Sequence, residues 1–181
     1  MNDKTGQQKL TPVQEKFILH WGEMGTRWGI NRTVAQIHAL LFLSPVPLHA
    51  EAIAATLGVA RSNVSTSLRE LQGWGIVRVA HILGDRRDHF ESLKDVWEMF
   101  RIIVDERKKR EADPTLATLR EAVAETKKPG AADAYTRERL ADMLQFFELM
   151  TNWCEQTRKL PTPAIVRMVK MGSKLARLLG E

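Results

Sequence analysis

One cysteine, Cys154, is all that 181 residues contain, so no internal disulfide can staple the fold, and a reducing compartment suits the chain. Cys154 lies in an apolar helical stretch and reads as an inert small hydrophobe rather than a redox sensor. No apolar run approaches the roughly 18 residues that a bilayer span needs. The amino terminus, MNDKTGQQKL, is not followed by the apolar segment of a signal peptide. These features point to a cytoplasmic protein with no membrane partner. Five histidines (His20, His38, His49, His81 and His89) are scattered, with no HExxH pair. His89 and Asp88 adjoin but have no nucleophile beside them, and neither a Walker loop nor a GxGxxG is present. The reading is therefore no enzyme, no metal and no cofactor. Charge of one sign is not abundant either. Against 27 Lys and Arg stand 22 Asp and Glu, a net +5. A polyanionic partner must be argued from where the arginines sit, not from their number. Internal repeats and low-complexity segments are absent.

What is present is concentrated between Leu48 and Phe90. A short helix over His49–Leu57 (HAEAIAATL) runs into a break at Gly58-Val59-Ala60. A second amphipathic helix follows from Arg61 to about Gly73, in which Val64, Leu68 and Leu71 at i, i+4 and i+7 mark the inward face. Gly75 supplies a left-handed residue that ends it. A strand over Ile76–Leu83, a turn at Gly84-Asp85-Arg86-Arg87 and a return strand toward Phe90 complete a winged helix-turn-helix.

The flanks supply the scaffold. Thr11-Pro12-Val13-Gln14 spells a capping box with proline at the first helical position, after ten residues that read as a frayed arm. The helix it opens carries Phe17, Trp21, Met24 and Trp28 and stops near Gly29. A buried helix over Thr33–Leu43 ends at Ser44-Pro45. Beyond the wing, a helix over Leu93–Glu111 ends in a charged run, Asp113-Pro114 opens another to about Lys127, and Pro129-Gly130 breaks it. Tyr135–Arg158 is long and broadly apolar, and Thr162-Pro163 opens a last helix with Ile165, Val166, Met168, Val169, Leu175 and Leu178 before Gly180. Broad apolar surface on terminal helices beside a small reading module is best buried against a second copy. The expected class is mainly α with a small β-hairpin wing and additional dimerisation helices. The winged helix-turn-helix spans residues 30–92, with 1–29 and 93–181 as a helical dimerisation and effector-binding region.

On the second reading helix, Arg61, Ser62, Asn63, Ser65, Thr66 and Arg69 face outward. This face is small, polar and poor in acids, Glu70 being the carboxylate nearby, which suits entry into a major groove. Arg61 fits phosphate or a guanine edge, and Arg69 fits phosphate. Ser62, Asn63 and Thr66 are the base-facing candidates, although Ser62 or Asn63 equally suits a cap; Ser65 is a weaker phosphate candidate. In the wing, Gly84 permits the tight turn and Arg86 or Arg87 projects toward a narrow minor groove. Asp85 would repel phosphate, so its expected role is to pair with an arginine and orient it. Trp21, Trp28, Trp97, Tyr135 and Phe146 are candidates to line an effector pocket, where rings suit a quaternary ammonium; each fits plain core packing as well.

The stretch LGVARSNVSTSLRELQGWGIV, the hairpin GDRRDHF and the following LKDVWEMFRIIVDERKKREADPTLATL resemble the GbsR branch of the MarR superfamily of prokaryotic transcriptional regulators, over roughly Pro47 to Leu119. The resemblance implies a homodimer on pseudo-palindromic double-stranded operator DNA, usually as a repressor, with Arg86 and Arg87 as the wing's basic pair. Some members are similar to choline-responsive regulators, but no diagnostic ligand residues are visible here. Two positions depart from the pattern: His49 stands where Ser or Thr is common and Ala60 where Ser is. Both read as poorer helix caps, each costing about 1 kcal/mol. The competing class is a winged helix that binds proteins or DNA architecture without a specific operator. It would show apolar residues on the Arg61–Arg69 face, and this chain does not.

Overall fold

A computed structural model describes residues 8–179. Residues 1–7 of the expected arm, Gly180, and the side chains of Leu175 and Leu178 lie outside the described residues. At the described end of the arm, the Gln8 backbone N–H donates to Thr56 Oγ1 at 3.0 Å. Contacts divide the chain into two compact units, residues 1–102 and 103–181.

In the first unit, α1 (Pro12–Arg27) opens on the expected capping box. Thr11 accepts from the Gln14 backbone and the Gln14 side chain returns to the Thr11 backbone. It lies against α2 (Arg32–Leu43), capped by Asn31. The two backbones meet closely. A Cβ at Gly25 would stand 2.6 Å from the Ala35 Cβ, so this crossing has room only for hydrogen. Three elements follow: β1 (Leu48–His49), α3 (Ala50–Leu57) and α4 (Arg61–Gly73). The wing is β2 (Val77–Ala80) and β3 (His89–Ser92). The hairpin is not two-stranded as expected. β1 adds to its inner edge in the order β1-β3-β2, pairing Leu48 with Phe90 and His49 with His89. His49, expected to begin a helix, is extended backbone that ends a strand and stands at the N-cap position of α3.

Ile37, Leu40, Leu41, Ile53, Val64, Leu68, Leu71 and Ile76 are fully buried and form the core of this unit. The three inward residues expected on α4 are all among them. Gly75 has φ +79, and the Ile76 N–H reaches back to the Leu71 carbonyl, which turns the chain from α4 into the wing. After the wing, Lys94 donates from Nζ to the carbonyls of Leu41, Phe42 and Ser44 at 2.8, 2.9 and 2.8 Å. One ammonium thus satisfies the open end of α2, where the helix dipole also favours a cation. Lys94→Met is expected to lower stability by about 1–2 kcal/mol in urea unfolding. An unchanged midpoint would mean that water serves those carbonyls equally well.

Helix α5 (Val96–Arg107), capped by Asp95, starts three residues later than the sequence suggests. Asp113-Pro114 does not open a separate helix. A π-helical turn, Lys108–Ala112, carries the chain straight into α6 (Asp113–Glu125), with the Asp113 N–H bonded to the Lys108 carbonyl. Pro114 has no N–H to offer one turn back, so the ladder widens rather than stops. In the second unit, α6 is followed by α7 (Ala134–Arg158), capped by Asp133, and α8 (Thr162–Leu179). The charged run before α6 is partly internal to this unit: Lys108 pairs with Asp113 at 2.8 Å and with Glu155 at 3.3 Å. Arg120 pairs with Glu148 and Arg158 with Asp105. Among the described residues, no helix is long and apolar enough to cross a membrane.

Candidate nucleic-acid interface

The outward face of α4 carries every polar residue that the spacing assigned to it. Arg61, Ser62, Asn63, Thr66 and Arg69 are exposed and Ser65 is half-buried. Neither Ser62 nor Asn63 serves as a cap. The cap position is Ala60, with no side-chain hydrogen bond, and both neighbouring side chains lack a hydrogen-bond partner among the described residues. Arg61 is not loose. Its Nε donates to Glu51 Oε1 at 2.8 Å and its Nη1 to Ser65 Oγ. Glu51, from α3, is thus a second carboxylate beside the reading face, where the sequence singled out Glu70. The Arg61 hydrogen bond, aided by a backbone hydrogen bond, lowers the Glu51 carboxyl to about 2, so it stays ionised at neutral pH. Arg69 lies 3.5 Å from Thr66 Oγ1, a long contact that leaves its guanidinium open.

At the wing, Gly84 has φ +86 and the Asp85 N–H closes the turn on the Ile82 carbonyl at 3.0 Å. The two arginines differ. Arg86 is exposed and has no ion pair among the described residues. Arg87 is held: Nε lies 2.9 and 3.1 Å from the two Asp85 oxygens, Nη2 also donates to Asp85, and Nη1 donates to His49 Nε2 at 3.0 Å. The pairing holds the Asp85 carboxyl well below its usual range and raises the guanidinium, so both remain charged.

Between α4 and the wing lies a cleft of about 480 Å³. Leu68, Val79 and Phe90 line it, with Arg61, Arg69 and Arg87 around its edge. Sequence reasoning missed Glu51, His49 and His89. In the sequence His49 looks like no more than a poor cap; in the fold its Nδ1 lies 3.2 Å from the Ala52 N–H and 3.0 Å from Glu51 Oε2. The signal available was His-Ala-Glu at the start of a helix, two polar side chains placed to meet neighbouring arginines.

The expected pocket aromatics fall into separate local groups. Trp21 stacks on Phe17 at 5.2 Å and faces His38. Trp28 caps α1, and Trp97 meets Phe100 edge-on. In the second unit, Phe146 meets Phe147 edge-on and Tyr135 lies under Arg139.

A helix pair, a three-stranded wing and a polar reading face define a winged helix-turn-helix protein. Residues 28–88 match the model of the MarR family. One similar solved structure is the crystal structure of a transcriptional regulator, 20% identical, with a TM-score of 0.59. The alignment covers 81% of this chain and 96% of that one, and the likeness is one of fold. No curated protein matches the chain.

Proposed function

We propose that this chain is a sequence-specific double-stranded DNA-binding transcriptional regulator of the GbsR-like branch, a cytoplasmic homodimer that represses by occupying a pseudo-palindromic operator. The observation that carries the reading is the α4 face: Ser62 and Asn63 exposed without partners among the described residues, arginines at both ends, and an exposed Arg86 on the adjoining wing. Phosphate contacts from Arg61, Arg69, Arg86 and Arg87 supply affinity, with Ser65 as a lesser phosphate contact, while Ser62, Asn63 and Thr66 discriminate bases. Gly84 and Asp85 shape the wing.

The homodimer is supported by α7. It buries no residue within the chain, and Met143, Phe146, Met150 and Trp153 form an exposed stripe at alternating spacings of three and four. A single chain leaves that seam wet, whereas two copies bury it. Residues 30–92 thus read DNA, and 1–29 with 93–181 serve dimerisation and effector binding. A small molecule acting through Trp21, Trp28, Trp97, Tyr135 or Phe146 changes the spacing or rigidity of the two reading units. The direct passage from β3 through Leu93 toward α5 supports that coupling.

Selection from a random duplex library, followed by anisotropy across a salt series, tests the reading. A palindromic motif is expected. Arg86→Ala should weaken binding to all sequences and reduce the salt slope by about one. Asn63→Ala should instead change preference at one position, by roughly 1–3 kcal/mol. If no motif enriches and binding is only salt-driven, the module is architectural or protein-binding and the reading fails.

A further inference from the structure

Resting on the DNA-binding reading above, we propose that His49 is a positioning residue for DNA recognition. Its ring ties the wing arginine Arg87 to the reading-helix arginine Arg61, so the two cations are presented as one preset unit. Six side chains from three parts of the fold form a continuous run. Asp85 accepts from Arg87, and Arg87 Nη1 donates to His49 Nε2 at 3.0 Å. His49 Nδ1 faces Glu51 Oε2 at 3.0 Å, Glu51 Oε1 accepts from Arg61 at 2.8 Å, and Arg61 donates to Ser65.

The run fixes the tautomer. A guanidinium can only donate and an ionised carboxylate can only accept, so Nε2 must be bare and Nδ1 must carry the proton. Donors and acceptors then alternate without a mismatch from Asp85 to Ser65. The cost falls on the helix cap. The Ala52 N–H also approaches Nδ1, at 3.2 Å, and a protonated Nδ1 offers it no lone pair. In the other neutral form Nδ1 caps α3, but an N–H on Nε2 then opposes Arg87. One nitrogen cannot serve both uses, and the bridge satisfies two charged groups where the cap satisfies one neutral N–H.

The surroundings hold the ring in place. His49 is 8% exposed, lies opposite His89 in the β1–β3 pairing, and meets that ring edge-on with centroids 5.4 Å apart. His89 Nδ1 in turn lies 3.0 Å from the Arg87 carbonyl, which pins the backbone at the same residue. β1 contributes two residues to the sheet, so the side-chain bridge adds to a short backbone pairing. Arg87 is held but not used up. Of its five N–H bonds, Asp85 takes two and His49 one, leaving two for a phosphate or a base edge. The side chain is 54% exposed and reaches DNA without first losing its order.

Two substitutions separate the bridge from the cap. His49→Asn keeps a good N-cap and cannot reach Arg87, whereas His49→Gln places an amide oxygen near the position of Nε2 and caps poorly. On the duplex selected by the wild type, His49→Asn is expected to bind about 3- to 10-fold more weakly, the cost of ordering one long side chain on contact. His49→Gln should recover part of that loss although its thermal stability is the lower of the two. Arg87→Ala should abolish the difference between them. A purely structural role predicts the opposite order, with Asn at least equal to histidine and Gln the weakest, and that order would overturn the proposal. Long-range 15N–1H spectra of the imidazole test it without DNA. The Nδ1–H form is expected for His49 in the free protein, and the Nε2–H form would overturn the proposal. Failure of the wild type to enrich any motif would fault the DNA-binding reading, while loss of the Nδ1–H pattern would fault the bridge alone.

Discussion

Leu68→Ala is expected to remove about 2–5 kcal/mol of folding stability, the range for deleting a fully buried leucine side chain. Leu68 is 2% exposed, between Val64 and Leu71 on the inner face of α4, and it also lines the cleft toward the wing. Its loss leaves a void where α4 meets α2, and α2 is itself buried along most of its length, so little can collapse to fill it. Two residues away, Thr66→Ala should change stability by less than about 0.5 kcal/mol, because the exposed hydroxyl makes only a long contact with Arg69. Paired urea unfolding curves check the contrast. Equal midpoints for the two variants would mean that α4 is not anchored by this face.

Acid should weaken the first unit well before its carboxylates titrate. His38 sits in α2 between the rings of Trp21 and Phe42, 4% exposed, with Nε2 buried and without a hydrogen-bond partner. Burial, with a smaller contribution from the Lys94 charge, lowers its pKa from 6.5 to about 4. The sign follows from proton binding. Below 6.5 the unfolded chain takes up a proton that the folded one refuses, so stability is complete above 6.5 and falls as the pH drops toward 4. The loss amounts to about 2 kcal/mol at pH 5 and about 3 kcal/mol at pH 4. The acid loss from Glu51 comes lower, between about 4.5 and 2. His38→Leu should remove the first window and leave the second. If the wild-type and variant profiles run parallel from pH 7 to 4, the buried neutral histidine is not what limits acid stability.

Several elements were legible in the chain because local physics decided them. The α1 cap was spelled by Thr11 and Gln14, and the bounds of α4 by Arg61, the Val64-Leu68-Leu71 spacing and the glycine that follows. The wing turn was marked by Gly84, whose positive φ a side chain would resist. Other elements were misread for equally physical reasons. Asp113-Pro114 looks like a helix start because proline suits a first turn. Here it lies inside a continuing helix that absorbs the missing N–H in a π turn. His49 looks like nothing more than a weak cap because the β1–β3 pairing that buries it and brings Arg87 to it joins residues forty apart.

By itself, then, the sequence determined the order and kind of most elements, β1 and the π turn excepted, and the polar character of the α4 face. These depend on backbone propensity and periodicity, which act within a few turns of chain. Asp85 pairs with an arginine as the sequence suggests, Arg87, two residues along the chain, but only the tertiary structure brings His49 to the same guanidinium, from 38 residues away, through the β1–β3 pairing. Tertiary structure also decided that His49 and Glu51 adjoin the reading face. A hydrogen bond depends on distance and angle in space, and both are set by how β1 seats against the wing.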